Sequence, residues 1–156
     1  MTTVTVSAVG HDDIDALVTS VAGLFTEDAG RHDPIMNIGW PASEGNAYYS
    51  GLLSDPDCLL LLARHDSEVI GHLVGRLSEP NSMRSSLVAA LESMRIAPSA
   101  RRAGAGSLLV EHFFAWARER GARHAIVTAY AANDAAQRFY ARHGFAPQSV
   151  ISRAAL

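Results

Sequence analysis

The chain has 156 residues, 48% of them apolar, and a formal net charge of −3 at pH 7. That size implies one domain over residues 1–156, large enough to bury a core of its own, and the mild acidity excludes a general nucleic-acid coat. One cysteine, Cys58, cannot form an internal disulfide, which points to a reducing compartment.

No stretch approaches the roughly 20 apolar residues of a membrane helix, and the opening "MTTVTVSAVGHDD" lacks the basic head of a secretion signal. A cytoplasmic protein is expected, with neither membrane nor nucleic acid as partner. Along the chain, residues 3–9 alternate with period two and read as a strand. Ile14, Leu17, Val18, Val21, Leu24 and Phe25 then fall at helical spacing, with Asp12, Asp13 and Asp15 suited to a helix N-terminus. From 26 to 41 the breakers Gly30, Pro34, Gly39 and Pro41 predict an irregular or only briefly helical stretch. A second short helix is read over 43–54.

Residues 58–65 and 68–77 form two strands joined by a hairpin at Asp66 and Ser67. A further strand covers 87–96. A helix follows from about 106 to 120, with Leu109, Phe113, Trp116 and Ala117 on one stripe and Gly121 as its stop. Residues 124–130 read as a strand, 133–143 as a helix ending at Gly144, and 148–152 as a short closing strand. The order β-α-α-β-β-β-α-β-α-β describes an α/β fold with a mixed central sheet, antiparallel first and parallel where helices become the connections.

The chemistry gathers in "MRIAPSARRAGAGSLLVEHF", residues 94–113. Glycine opens turn geometries closed to other residues and lets a ligand approach the main chain. A helix that starts there aims its unpaired N–H groups and positive dipole end at the turn. Arg101, Arg102, Ala103, Gly104, Ala105, Gly106 and Ser107 therefore suit a phosphate or pyrophosphate, with charge-assisted contacts from the two arginines. A glycine-rich turn with two solvated arginines is the alternative. The P-loop pattern fails for want of a lysine, and the dinucleotide pattern fails because Leu109 stands at its third glycine.

The segment "IAPSARRAGAG" resembles the acyl-CoA-binding signature of the GCN5-related N-acetyltransferases, Gln/Arg-x-x-Gly-x-Gly/Ala, with Arg101, Gly104 and Gly106 in its fixed places. Downstream, "NDAAQRFYARHGF" is similar to the family's other common segment at every fixed position. The resemblance covers about 58–145, and the N-terminal third only in layout. It implies a GNAT-like fold that consumes acetyl-CoA, needs no metal, and passes the acetyl group directly to a primary amine through a tetrahedral intermediate.

Residue by residue, the resemblance implies that main-chain groups around Met94, Arg95 and Ile96 contact the pantetheine arm, a backbone N–H there steadying the thioester oxygen. It makes Tyr140 the general acid for the leaving thiolate. A phenol with pKa near 10 is still a donor at neutral pH, while a core aromatic is the plainer reading. Asn133 would contact the coenzyme, or act only as an N-cap. Glu92 is the candidate base for the amine proton, directly or through water. The alternation of "LVAALESMRI" sets it on the side of Val88, Ala90, Met94 and Ile96, and a strand-end charge reaching solvent is the other reading.

Glu79 and His72 are weaker candidates. Cys58 sits in an apolar run and reads as a core residue. The seven histidines form no metal-ligand spacing. In the family the acceptor is shaped by segments that here hold "FTEDAGRHDP", Trp40, Tyr48, Tyr49 and "EPNSMRSS". Glu27, Asp28 and Asp33 would attract a cationic amine and the aromatics would stack on it, or the acids form a solvated helix end. A small-molecule amine acceptor is expected. A protein N-terminus or lysine, or a non-catalytic acyl-CoA sensor, are the alternatives, and a homodimer is left open.

Overall fold

The computed structural model describes residues 3–156. Strands β1 (Val4–Ala8), β2 (Cys58–His65), β3 (Glu68–Ser78), β4 (Val88–Ile96) and β5 (His124–Val127) lie side by side in chain order. Every neighbouring pair is antiparallel except β4 and β5, which run parallel and so need a crossover. Helix α4 (Ala105–Glu119) supplies it. The two-residue turn between β2 and β3 works without glycine because Asp66 accepts a left-handed backbone, φ 55°.

The run "CLLLLA" of β2 does not alternate because both faces of the sheet are covered. Leu61 and Ala63 join Leu109, Val110, Phe113 and Ala117 of α4 on one side. Leu60 and Leu62 join Ile14, Leu17 and Val21 of α1 (Ile14–Leu24) and Tyr49 of α3 (Asn46–Leu52) on the other. Phe113 is fully buried, and its ring would stand 2.9 Å from a Cβ at Gly75. That close approach of helix to sheet is what the missing side chain permits. Among the described residues no helix is long and apolar enough to cross a membrane.

The stretch 26–41, read as irregular or only briefly helical, is helical at its start: a π-helical turn over Phe25–Ala29 carries α1 on into α2 (Gly30–His32). Gly30 is tolerated inside the helix, at φ −61°. The break comes where Pro34 pushes Asp33 out of the helical region, to φ −136° and ψ 95°. The expected closing strand over 148–152 does not form, and β5 stops at Val127 instead of reaching residue 130. Val150 and Ile151 are 88% and 87% exposed, so no partner strand or apolar face rewards the extended pattern there.

Candidate active site

The site is built where β4 bulges against β3 and parts from β5. On the β3 side, Val74 faces Ser93 while Gly75 faces Leu91, so Glu92 is an extra residue, a β-bulge. The bulge corrects the expected grouping of Glu92. Met94 and Ile96 pack toward the α4 side of the sheet, whereas Glu92 and Ser93 both line a cleft on the α1 side. On the β5 side, pairing ends at Leu91 with Val127, and the two strands part. Ala97 N–H still donates back to Ile70 on β3 at 2.7 Å. The strand's alternation therefore turns the main-chain groups of Ile96 and Met94 to the parted side.

The turn beyond β4 has the geometry of an anion cradle. Arg102 and Gly104 take left-handed backbones, φ 69° and 86°. The first helical bond of α4 runs from Leu108 N–H to Gly104 O, which leaves the N–H groups of Ala105, Gly106 and Ser107 facing the turn. A Cβ at Gly104 would meet nothing within 4 Å, so the backbone there is open to a ligand. Gly106 serves packing instead: a Cβ would come to 3.2 Å from the Phe139 ring and 3.3 Å from Met94. Ser107 Oγ lies 3.1 Å from His143 Nε2.

The arginines are divided. Arg102 is exposed. Arg101 donates through Nε to Ile96 O at 2.8 Å and through Nη2 to Glu27 at 2.9 Å. Arg95 donates to the same carboxylate at 2.7 Å, its guanidinium lying against Gly23 of α1. Burial would raise the Glu27 carboxyl, but the hydrogen bond and charge of Arg95, joined by those of Arg101, hold it below the ordinary value. Glu27 is therefore a clamp on two arginines rather than a lure for an amine. Asp33 is likewise engaged, by Arg153 at 3.0 Å and by the Tyr130 hydroxyl.

Helix α5 (Asp134–Arg142) brings Asn133 and Tyr140 to the same region, and Gly144 at φ 88° ends it. Asn133 caps the helix, accepting from Ala136 N–H at 3.1 Å, and donates to Asp28 at 2.9 Å. Both ends of its amide are thus used within the protein. Burial, reinforced by the charge of Asp28, pushes the Tyr140 phenol up to about 12, and no hydrogen bond offsets it. It remains a proton carrier at every ordinary pH.

The cleft has a volume of about 670 Å³ and is walled by Phe25, Met36, Trp40, Tyr48, Tyr49 and Tyr130. Phe25 stacks on Trp40, which meets Tyr48 edge to face. Two carboxylates enter this aromatic box, Asp28 and Glu92, and Thr128 adds a hydroxyl from beyond β5. Glu92 accepts from Arg76 Nε at 3.0 Å, and Arg76 also reaches the Tyr48 hydroxyl at 3.3 Å. Glu92 and the acceptor aromatics expected from the sequence thus meet in one cavity, and Asp28 links it to Asn133 by a hydrogen bond, while Tyr140 packs against the α4-side core and does not line it.

Glu79 lies exposed beyond the end of β3. Burial pushes the Cys58 thiol up to about 11, which suits a packing role. Among the described residues no three His, Cys, Asp or Glu gather so as to hold a metal ion. Sequence reasoning missed how His72 is used: it joins Ser20 of α1 to Ser93 of β4 through both ring nitrogens. The signal available was a histidine in the middle of the apolar strand "VIGHLVG".

Residues 24–145 match the Acetyltransferase (GNAT) family, and the chain belongs to it. It is 28% identical over 104 residues to an uncharacterized N-acetyltransferase of Mycobacterium tuberculosis (strain H37Rv). The match covers 67% of this chain and 63% of that protein, so the chain spans less than two thirds of the curated relative's length. Among solved structures it is similar to a GCN5-related N-acetyltransferase from Ralstonia eutropha JMP134, at TM-score 0.77, 19% identity and coverage of 98% and 99% of the two chains. A transcriptional regulator from Bacillus halodurans C-125 superposes at TM-score 0.79 with 24% identity, covering 99% and 100%. An aminoglycoside acetyltransferase from an uncultured soil metagenomic sample, in complex with sisomicin, does so at 0.73 with 16% identity, covering 98% and 96%. At these identities the likeness is one of fold.

Proposed function

We propose that this protein transfers the acetyl group of acetyl-CoA to the primary amine of a small molecule with an apolar or aromatic body. The observation that carries the reading is the parting of β4 from β5 between a cationic, glycine-opened turn and an aromatic cleft. The fit to the co-substrate rests on the open backbone at Gly104 and the free N–H groups of Ala105 to Ser107 for a diphosphate, and on the turned-out main chain of Met94 and Ile96 for pantetheine amides. When bound, acetyl-CoA supplies an activated acyl group and a thiolate leaving group.

The residues of this chain then divide the work. The aromatic walls and Asp28 receive the acceptor as a cation. An amine attacks only when neutral, and Glu92 takes its proton through water or through the oxygen that Arg76 leaves free. Tyr140 gives a proton to the departing sulfur. A phenol near 12 is a weak acid, and the same burial that raises it also raises the affinity of the thiolate for a proton.

A thiol-release screen of acetyl-CoA against a panel of amines tests the reading. Arylalkyl amines are expected to turn over faster than amino acids or polyhydroxylated amines, and Tyr140→Phe to slow release about 100-fold or more. Silence across the panel, with acetyl-CoA bound, would show a sensor rather than an enzyme.

A further inference from the structure

His72 is fully buried, and both of its ring nitrogens are taken: Nδ1 stands 2.6 Å from Ser20 Oγ and Nε2 stands 2.7 Å from Ser93 Oγ. A neutral imidazole has one donor and one acceptor, so this buried line has a direction. Ser20 decides it. Thr19 and Thr26 on the same helical run give their hydroxyl hydrogens to carbonyls four residues back, whereas the 4% exposed Ser20 turns to the ring. A buried hydroxyl places its hydrogen on an acceptor, so Ser20 donates to Nδ1 and the ring proton sits on Nε2, given to Ser93.

Burial, with a smaller contribution from the nearby Arg95 charge, depresses the imidazole to about 3, so the ring carries that single proton throughout the neutral range. With His72 as its donor, Ser93 keeps its own hydrogen free. Ser93 lies just past the bulge and lines the cleft beside Glu92, and the next residue, Met94, presents its main chain to the parted edge.

We propose that the Ser93 hydroxyl is a further catalytic group, donating to the acyl oxygen of the bound thioester beside the main-chain donor of β4, with His72 and Ser20 as positioning residues that fix its direction. This rests on the acyltransfer reading above. As the tetrahedral species forms, charge grows on that oxygen and an already aimed donor strengthens its bond.

In ligand-free protein with isotope-labelled histidine, nuclear magnetic resonance is expected to find His72 as the Nε2–H tautomer, a preference that Ser20→Ala relaxes. An Nδ1–H ring in the wild type overturns the proposal, since Ser93 would then have to donate inward. With isotope-labelled acetyl-CoA bound, Ser93→Ala is expected to move the carbonyl stretch to higher frequency. It should also lower kcat about 10- to 100-fold in protein that stays folded and still binds acetyl-CoA, with a lower melting temperature because the buried His72 N–H loses its acceptor, and Ser93→Thr is expected to restore the band, the rate and the melt. A carbonyl band indifferent to Ser93→Ala overturns the proposal and leaves acyltransfer standing. Failure of acetyl-CoA to bind removes the acyltransfer reading first, and this assignment with it.

Discussion

Glu27 ties three parts of the site together. Its carboxylate receives Arg95 of β4 and Arg101 of the turn, while Arg101 also holds the Ile96 carbonyl at the parted edge. If the turn holds a diphosphate as proposed, that anion would compete with Glu27 for Arg101, so binding would exchange one anion for another rather than recruit an idle charge. The carboxyl titrates below its ordinary value of 4.5 in the folded protein. The unfolded chain therefore takes up the proton first as pH falls. The clamp's contribution to stability is whole above about 4.5 and is lost as pH drops through the lower folded value. Glu27→Gln is expected to be less stable than wild type at neutral pH by up to about 1 kcal/mol, since the clamp is partly solvated. The two proteins should converge in acid, and melting curves taken from neutral pH down to about pH 3 check this; a constant gap would mean that packing, not charge, holds the arginines.

Between elements, α4 packs closely on the sheet. An alanine methyl at Gly75 would stand 2.9 Å from the Phe113 ring, which is fully buried and has nowhere to retreat. Gly75→Ala is expected to cost about 1–3 kcal/mol through overpacking and to lower Tm by several degrees in thermal melts; an unchanged melt would show that the ring has slack. Local signals made much of this joint legible. The turn glycines, the apolar stripe of α4 and the capping Asn133 are each read from a few adjacent residues, and so were the two motifs that brought Tyr140 and the turn to notice. The bulge at Glu92 was not legible, because it exists only in the pairing of β4 with β3. One extra residue reverses the faces of Met94 and Ile96, and simple alternation in "LVAALESMRI" misassigns them. The line from Ser20 through His72 to Ser93 escaped for a related reason: its members lie 52 and 21 residues apart and share no period.

Taken whole, the molecule separates two approaches to one point. On the proposed reading the co-substrate side would be the turn, α4 and α5, and the acceptor side the aromatic box held by α1, its π-helical extension and α3, with the parted edge of β4 between them. Only four residue pairs hold β5 to β4, so the far half of the gap has no ladder to close it. A ligand that bridges the turn and the β4 edge would supply the missing cross-link, and its binding should appear as stability of the whole chain. Coenzyme A at about a hundred times its dissociation constant contributes roughly 2.7 kcal/mol to the folded state, which for a chain of this size raises Tm by about 5–10 °C. Pantetheine, which has the amides but no diphosphate, is expected to give only a small part of that shift. If pantetheine matched coenzyme A, the grip would lie on the strand edge alone, and the open glycine, the free helix N–H groups and the contested Arg101 would have no anion to hold.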